Sequence, residues 1–169
     1  PMLADAELAQ DFTILTRQYR ELIDSLLGVV GIPGMPVEVA PAGEGNFRGY
    51  DGNQFYVVQR GSINAHYQGK TVYTLEEGDI LLPDIAGSAD DDSTVHYRSA
   101  AGARLHSYPA LEFMRRVFSE PAAMRLWSRL LVTYAGLMLR ITAAHVPEEA
   151  PATPGYEDYA PGEIIIRQG

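Results

Sequence analysis

Gln54-Phe55-Tyr56-Val57-Val58-Gln59-Arg60-Gly61-Ser62-Ile63, continued by Asn64-Ala65-His66-Tyr67-Gln68-Gly69-Lys70 and Thr71-Val72-Tyr73-Thr74-Leu75-Glu76-Glu77-Gly78-Asp79, is the stretch on which the fold turns. It opens with an unbroken apolar run, Phe55 to Val58, suited to a strand covered on both faces. Gly61 turns the chain, and Ser62 to Tyr67 alternates as a half-buried strand does. Gln68-Gly69 is a tight hairpin turn, and Thr71 to Leu75 returns from it. Glu77-Gly78-Asp79 turns again into Ile80-Leu81-Leu82, which Pro83 stops. Working outward, Val37-Glu38-Val39 is a short strand in the Gly- and Pro-dense segment 33–54, while Thr94 to Arg98 and Ala103 to Ser107 are two more. Short strands with turns every eight to twelve residues or about that imply a closed or double-sheet β architecture, not a parallel α/β sheet.

Helical periodicity flanks these strands. Leu8, Phe12, Leu15, Tyr19, Leu22 and Leu26 recur on one face and predict a helix over 5–27, with Asp5 as N-cap and Gly28, Gly31 and Pro33 ending it. That face packs either on the domain's own core or as a coiled-coil-like seam against a second copy. A second helix opens at Pro109 and runs to about Phe118. A third follows Ser119-Glu120-Pro121 to about Ala144, its apolar face being Trp127, Leu130, Leu131, Tyr134, Leu137, Met138 and Ile141. The two apolar faces together predict a homodimer through helices. The expected organisation is a helix over 1–32, a β-roll over 33–108, two helices of the same domain over 109–146, a linker over 147–158 and a strand within 159–169. The fold class is α+β: an antiparallel β-roll, or double-stranded jelly-roll core, of about eight short strands with one N-terminal helix and two C-terminal helices.

Composition narrows the function. A net charge of −9 repels polyanions, so direct contact with nucleic acid is not expected. With no Cys, thiolate metal sites, disulfides and thiol nucleophiles are excluded. No apolar run approaches the roughly 18 residues of a membrane span, and Asp5, Glu7 and Asp11 stand where a secretion signal would be basic, so a cytoplasmic location is expected. The sequence has no Gly-x-Ser-x-Gly elbow, P-loop or His-Glu-x-x-His, and no enzyme activity is expected.

The run Gln54 to Ile63, then Gln68-Gly69-Lys70, Thr74-Leu75 and Glu77-Gly78-Asp79, resembles the cyclic nucleotide-binding domain family over roughly residues 37–145. The resemblance implies a regulatory or ligand-sensing module in signalling, with a cyclic nucleotide or another small molecule as its partner. It also implies a cassette after Gly78-Asp79, where a short helix N-terminus and an Arg hold the cyclic phosphate and a Glu accepts from the ribose hydroxyl. Here Leu82 and Pro83 stand where glycine and glutamate belong, with Asp84 next, and the Arg position falls near Asp91 or Asp92. Glu76 to Asp92 carries seven carboxylates and no Lys or Arg. Each carboxylate near a phosphate costs about a kcal/mol or more in a partly shielded pocket. Arg98 and Arg104, on neighbouring strands, are the cations left to pair a phosphate, and tight cyclic nucleotide binding is not expected. Tyr159 to Gly169 resembles the opening strands of the same domain and reads as the start of a truncated second copy; its apolar strand, Glu163 to Arg167, should pair with a sheet edge.

Cupin-type jelly rolls share the Gly-Asp turn followed by proline, which keeps a metal-dependent cupin-like enzyme as the alternative. His66 and His96, with Glu76 or Asp79, are its candidate ligands. Asp90-Asp91-Asp92 lacks the alternating spacing of a Ca²⁺ loop and reads as a solvated acidic turn. A ligand-free dimerisation module is the third alternative.

Overall fold

The computed structural model describes residues 2–41, 45–83 and 95–145, with side chains in the two long helices from Gln10 and to Ala144. In chain order the elements are α1 (Met2–Val30), β1 (Met35–Val39), β2 (Gln54–Gly61), β3 (Ile63–Tyr67), β4 (Lys70–Leu75), β5 (Ile80–Leu81), β6 (His96–Arg98), β7 (Ala103–Pro109), α2 (Ala110–Ser119) and α3 (Pro121–His145). All strand pairs are antiparallel, in a four-stranded sheet ordered β1-β7-β2-β5 and a three-stranded sheet ordered β4-β3-β6. This is the expected α+β architecture, a β-roll with one helix before it and two after.

The four-stranded sheet is covered on both sides, which is why Phe55 to Val58 is an unbroken apolar run. Phe55 and Val57 join Ile80, Tyr108 and the helices in one core. Tyr56 and Val58 point the other way, into the roll, with Phe47, Ile63, Leu75, Leu81 and Leu105. Gly61 ends β2 at φ +81°, where a Cβ would stand 2.6 Å from the Gly102 carbonyl oxygen, so only glycine fits. Gln68 and Gly69 both take positive φ, 49° and 75°, as the expected two-residue hairpin requires.

The helix boundaries differ from expectation. α1 begins at Met2, so Asp5 lies within the helix and does not cap it, and Gly28 does not stop it. The extra turn brings Val30 into the core and adds a bond from the Gly31 N–H to the Leu27 carbonyl at 3.0 Å. Those gains offset the cost of about 1 kcal/mol for a mid-helix glycine. Pro109 is the N-cap of α2 and not its first-turn residue, while Pro121 does open α3.

Tyr19, Leu22, Ile23 and Leu26 of α1 are buried together with Leu130 and Leu137 of α3. The apolar face of α1 from Leu15 to Leu26 is thus packed against its own chain, while Phe12 on the same face is exposed. On α3, Leu131 departs from the expected face: it is 40% exposed, whereas Leu130 is 1% exposed. No helix among the described residues is long and apolar enough to cross a membrane. Thr94, the linker over 147–158 and the strand Glu163 to Arg167 lie outside the described residues.

Candidate functional site

Inside the roll and at its helical end lies a chain of tyrosines. Tyr56 projects from β2 into the roll and stacks on Tyr50 with ring centroids 5.9 Å apart, and Phe47 meets both edge-on at 5.4 Å. Tyr50 in turn lies 5.6 Å from Tyr97 on β6. The Tyr97 and Tyr73 hydroxyls, from β6 and β4, face each other at 3.5 Å. Tyr134 of α3 lies near Tyr73 and stacks on Tyr19 of α1 at 6.1 Å. The rings supply flat apolar contact and the hydroxyls need polar partners, so each tyrosine ties its neighbours in two ways.

Burial and mutual proximity favour the protonated form of Tyr19, Tyr73 and Tyr134. Loss of solvent, followed by Tyr134, Asp79 and Tyr73, pushes Tyr19 well above the ordinary tyrosine range. Burial first, then Tyr97, raises Tyr73; burial first, then Tyr73, raises Tyr134. A group of neutral phenols with aromatic faces can stack on a planar molecule and donate hydrogen bonds to it, but offers no formal charge to a phosphate.

Beside this group the Gly78-Asp79 turn is fastened to α1. Arg20 donates from Nε to Asp79 Oδ1 at 2.8 Å and from Nη2 to Asp79 Oδ2 at 3.1 Å, and reaches Glu76 at 3.3 Å. Asp79 is buried and also accepts from the Glu76 N–H at 2.8 Å. The fork raises the Arg20 pKa further, chiefly through its hydrogen bond to Asp79. Gly78 has φ +88°, and a Cβ there would press on the Arg20 stem at 3.2 Å. The turn therefore demands glycine for its backbone and for the docking of α1.

The residues singled out in the sequence are spread over several surfaces. Leu82 is half-buried against the helical core just beyond β5, and Pro83 follows it. Asp84, Asp91 and Asp92 lie outside the described residues. Arg104 pairs with Glu38 at 2.6 Å across β1 and β7, and both side chains are more than half exposed. Arg98 shares its strand with Tyr97, which packs into the roll; strand alternation puts Arg98 and His96 on the opposite, outer face of the sheet. His66 lies opposite His96 in the β3–β6 register, so the two meet on that outer face and not inside the roll. Asp79, offered as a further metal ligand, is held by Arg20. Among the described residues no group of three or more His, Asp or Glu is placed to hold a metal. The sequence reading missed Arg20 and the tyrosines as a unit. The available signal was tyrosine within apolar helix faces, since a buried hydroxyl needs a polar partner on another element.

No family model matches the chain, and no curated protein matches it. Its shape, in contrast, is similar to many solved structures. CprK is 11% identical with a TM-score of 0.50, the match covering 70% of this chain and 58% of CprK. FixK2 of Bradyrhizobium japonicum is 9% identical with a TM-score of 0.50, covering 66% of this chain and 56% of FixK2. The chain thus spans somewhat over half the length of either protein. At such identities the likeness rests on strand order and helix placement, and these give the chain the fold of the cyclic nucleotide-binding domain.

Proposed function

We propose that this chain is a ligand-sensing regulatory module without catalytic apparatus, in which a small molecule held in the roll alters the packing of α3. The observation carrying this reading is the tyrosine chain, which runs from Tyr56 and Tyr50 inside the roll through Tyr97 and Tyr73 to Tyr134 and Tyr19 on the helices. A ligand that displaces Tyr97 or Tyr73 has a route of neighbouring side chains to α3, and differential contact with two arrangements is what a sensor needs. The ligand is not a cyclic nucleotide bound in the family's usual way. Seven carboxylates without a cation between Glu76 and Asp92, and the placement of Arg98 and Arg104 away from the roll's interior, support that part.

Two copies pair through α3. Met124, Leu131, Val132 and Leu139 are 41, 40, 74 and 71% exposed; Met124 and Leu131, and Val132 and Leu139, each lie two helical turns apart in neighbouring rows, an apolar surface that the chain's own core leaves uncovered. The module acts in the cytoplasm and makes no direct contact with nucleic acid or membrane.

Calorimetry with cyclic AMP and cyclic GMP tests the first half: dissociation constants weaker than about 1 mM are expected. Stoichiometric micromolar binding in the roll would overturn it. Trp127, the sole tryptophan and a contact of Phe55 and Phe113, reports on α3 in a thermal-shift and fluorescence screen of small metabolites. Compounds that stabilise the protein should shift Trp127 emission and lose their effect in Tyr97→Ala; if no compound does so, the sensing reading fails and a dimerisation module remains.

A further inference from the structure

We infer that His66 and His96 form a two-imidazole binding site for a divalent transition-metal ion on the outer face of the three-stranded sheet. They are directly opposed residues of the antiparallel β3–β6 pair. Their neighbours on the strands fix the face: Ile63 and Ala65 are fully buried in the roll and Tyr97 packs there, so His66 and His96 project outward together. Directly opposed side chains of an antiparallel pair start from Cβ atoms about 4.5–5.5 Å apart, a separation from which two imidazoles can reach one ion.

The surroundings suit imidazole ligands. Thr71 lies across from His66 on β4, and its Oγ1 meets His66 Nδ1 at 3.3 Å. With Nδ1 engaged, the ring is oriented and Nε2 is left for a metal, the usual outer-shell arrangement for a histidine ligand. His96 Nδ1 is buried, and among the described residues it has no hydrogen-bond partner. The next row along the same face is Thr74, Asn64 and Arg98, in which the Thr74 hydroxyl donates to Asn64 Oδ1 at 2.9 Å.

Ligand type selects the ion. Two nitrogens with no carboxylate among the described neighbours, and Arg98 on the same face, disfavour Mg²⁺ and Ca²⁺, which need oxygen donors. Cu(II), Ni(II) and Zn(II) accept imidazole, with Cu(II) the tightest, and water completes the coordination. This site is separate from the tyrosine group on the other face of the sheet and does not depend on the sensing proposal.

The test is titration of the EDTA-treated 169-residue chain with Cu(II) and with Zn(II) at neutral pH. One ion per chain is expected, Cu(II) bound more tightly than Zn(II), with affinity falling roughly tenfold or more in His66→Gln and in His96→Gln alike. His106→Gln, on the other sheet, should leave it unchanged. Electron paramagnetic resonance of the Cu(II)-loaded wild type should record two equivalent imidazole nitrogens and needs no variant to fold. Full affinity in either single variant, or one nitrogen in the spectrum, overturns the inference.

Discussion

Arg20 and Asp79, 59 residues apart, are joined by two parallel bonds of 2.8 and 3.1 Å, so the middle of the first helix is fastened to the turn that closes the β3–β4 excursion. Asp79 is the more deeply placed partner, its side chain 10% exposed against 32% for Arg20. Deleting the cation therefore leaves a buried carboxylate whose remaining bond is to the Glu76 N–H.

Arg20→Ala should cost about 2 kcal/mol, below the 3–5 typical of fully buried pairs because Arg20 is partly solvated. Arg20→Lys keeps the charge but loses the fork, and should cost about half as much. Urea unfolding of the two variants measures both. Equal stability of Arg20→Ala and wild type would deny the clamp any energetic role.

The tyrosine group makes the fold sensitive to alkali. Tyr19, Tyr73 and Tyr134 have folded pKa values raised above the unfolded value of about 10. A raised folded pKa means the native state binds the proton more tightly, so the stabilisation is complete below about pH 10 and is lost as pH rises beyond it. Absorbance titration at the phenolate band should find these three hydroxyls silent until the chain unfolds cooperatively. Tyr73→Phe removes one such group and should flatten the alkaline slope.

The two faces of α3 separate folding from pairing. Leu130→Ala opens a cavity in the core and should destabilise each chain by about 2–5 kcal/mol. Leu130→Glu should therefore unfold the protein, and it cannot report on dimerisation. Val132→Glu and Leu139→Glu lie on the exposed stripe and should leave the fold intact while shifting the mass seen by light scattering from dimer to monomer. An unchanged mass in the double variant removes α3 as the seam.

Glycine at 61 is required by a backbone contact and not by flexibility. Gly61→Ala should cost more than 1 kcal/mol or thereabouts, the usual upper range for a helical glycine, since its Cβ would meet the Gly102 carbonyl. Thermal unfolding decides the matter, and Gly69→Ala, with nothing within 4 Å of its Cβ, is the comparison for φ strain alone.

The roll was legible because its signals are local: the run Phe55 to Val58, the Gln68-Gly69 turn and the Gly78-Asp79 turn each encode a nearby backbone event. Helix faces were legible to the period, but not the partner. The spacing of Leu22 and Leu26 is the same whether the stripe meets α3 of its own chain or a second copy, and only topology chooses. The candidate site was less legible still, since Tyr19, Tyr73, Tyr97 and Tyr134 come from four elements and no spacing links them. His66 and His96 are expected to meet across the roll, whereas they are opposed neighbours in one sheet, on the side set by the inward placement of Ala65 and Tyr97.

Among the described residues the two sheets of the roll differ in how they are packed, one having apolar core on both faces and the other on its inner face. Amide hydrogen exchange should record this directly: β2 and β7 are expected in the slowest-exchanging unit, and β3, β4 and β6 to exchange through smaller, more frequent openings. The outer sheet can then loosen while the rest of the domain stays native, so the free energy for any rearrangement comes from a local fluctuation and not from global unfolding.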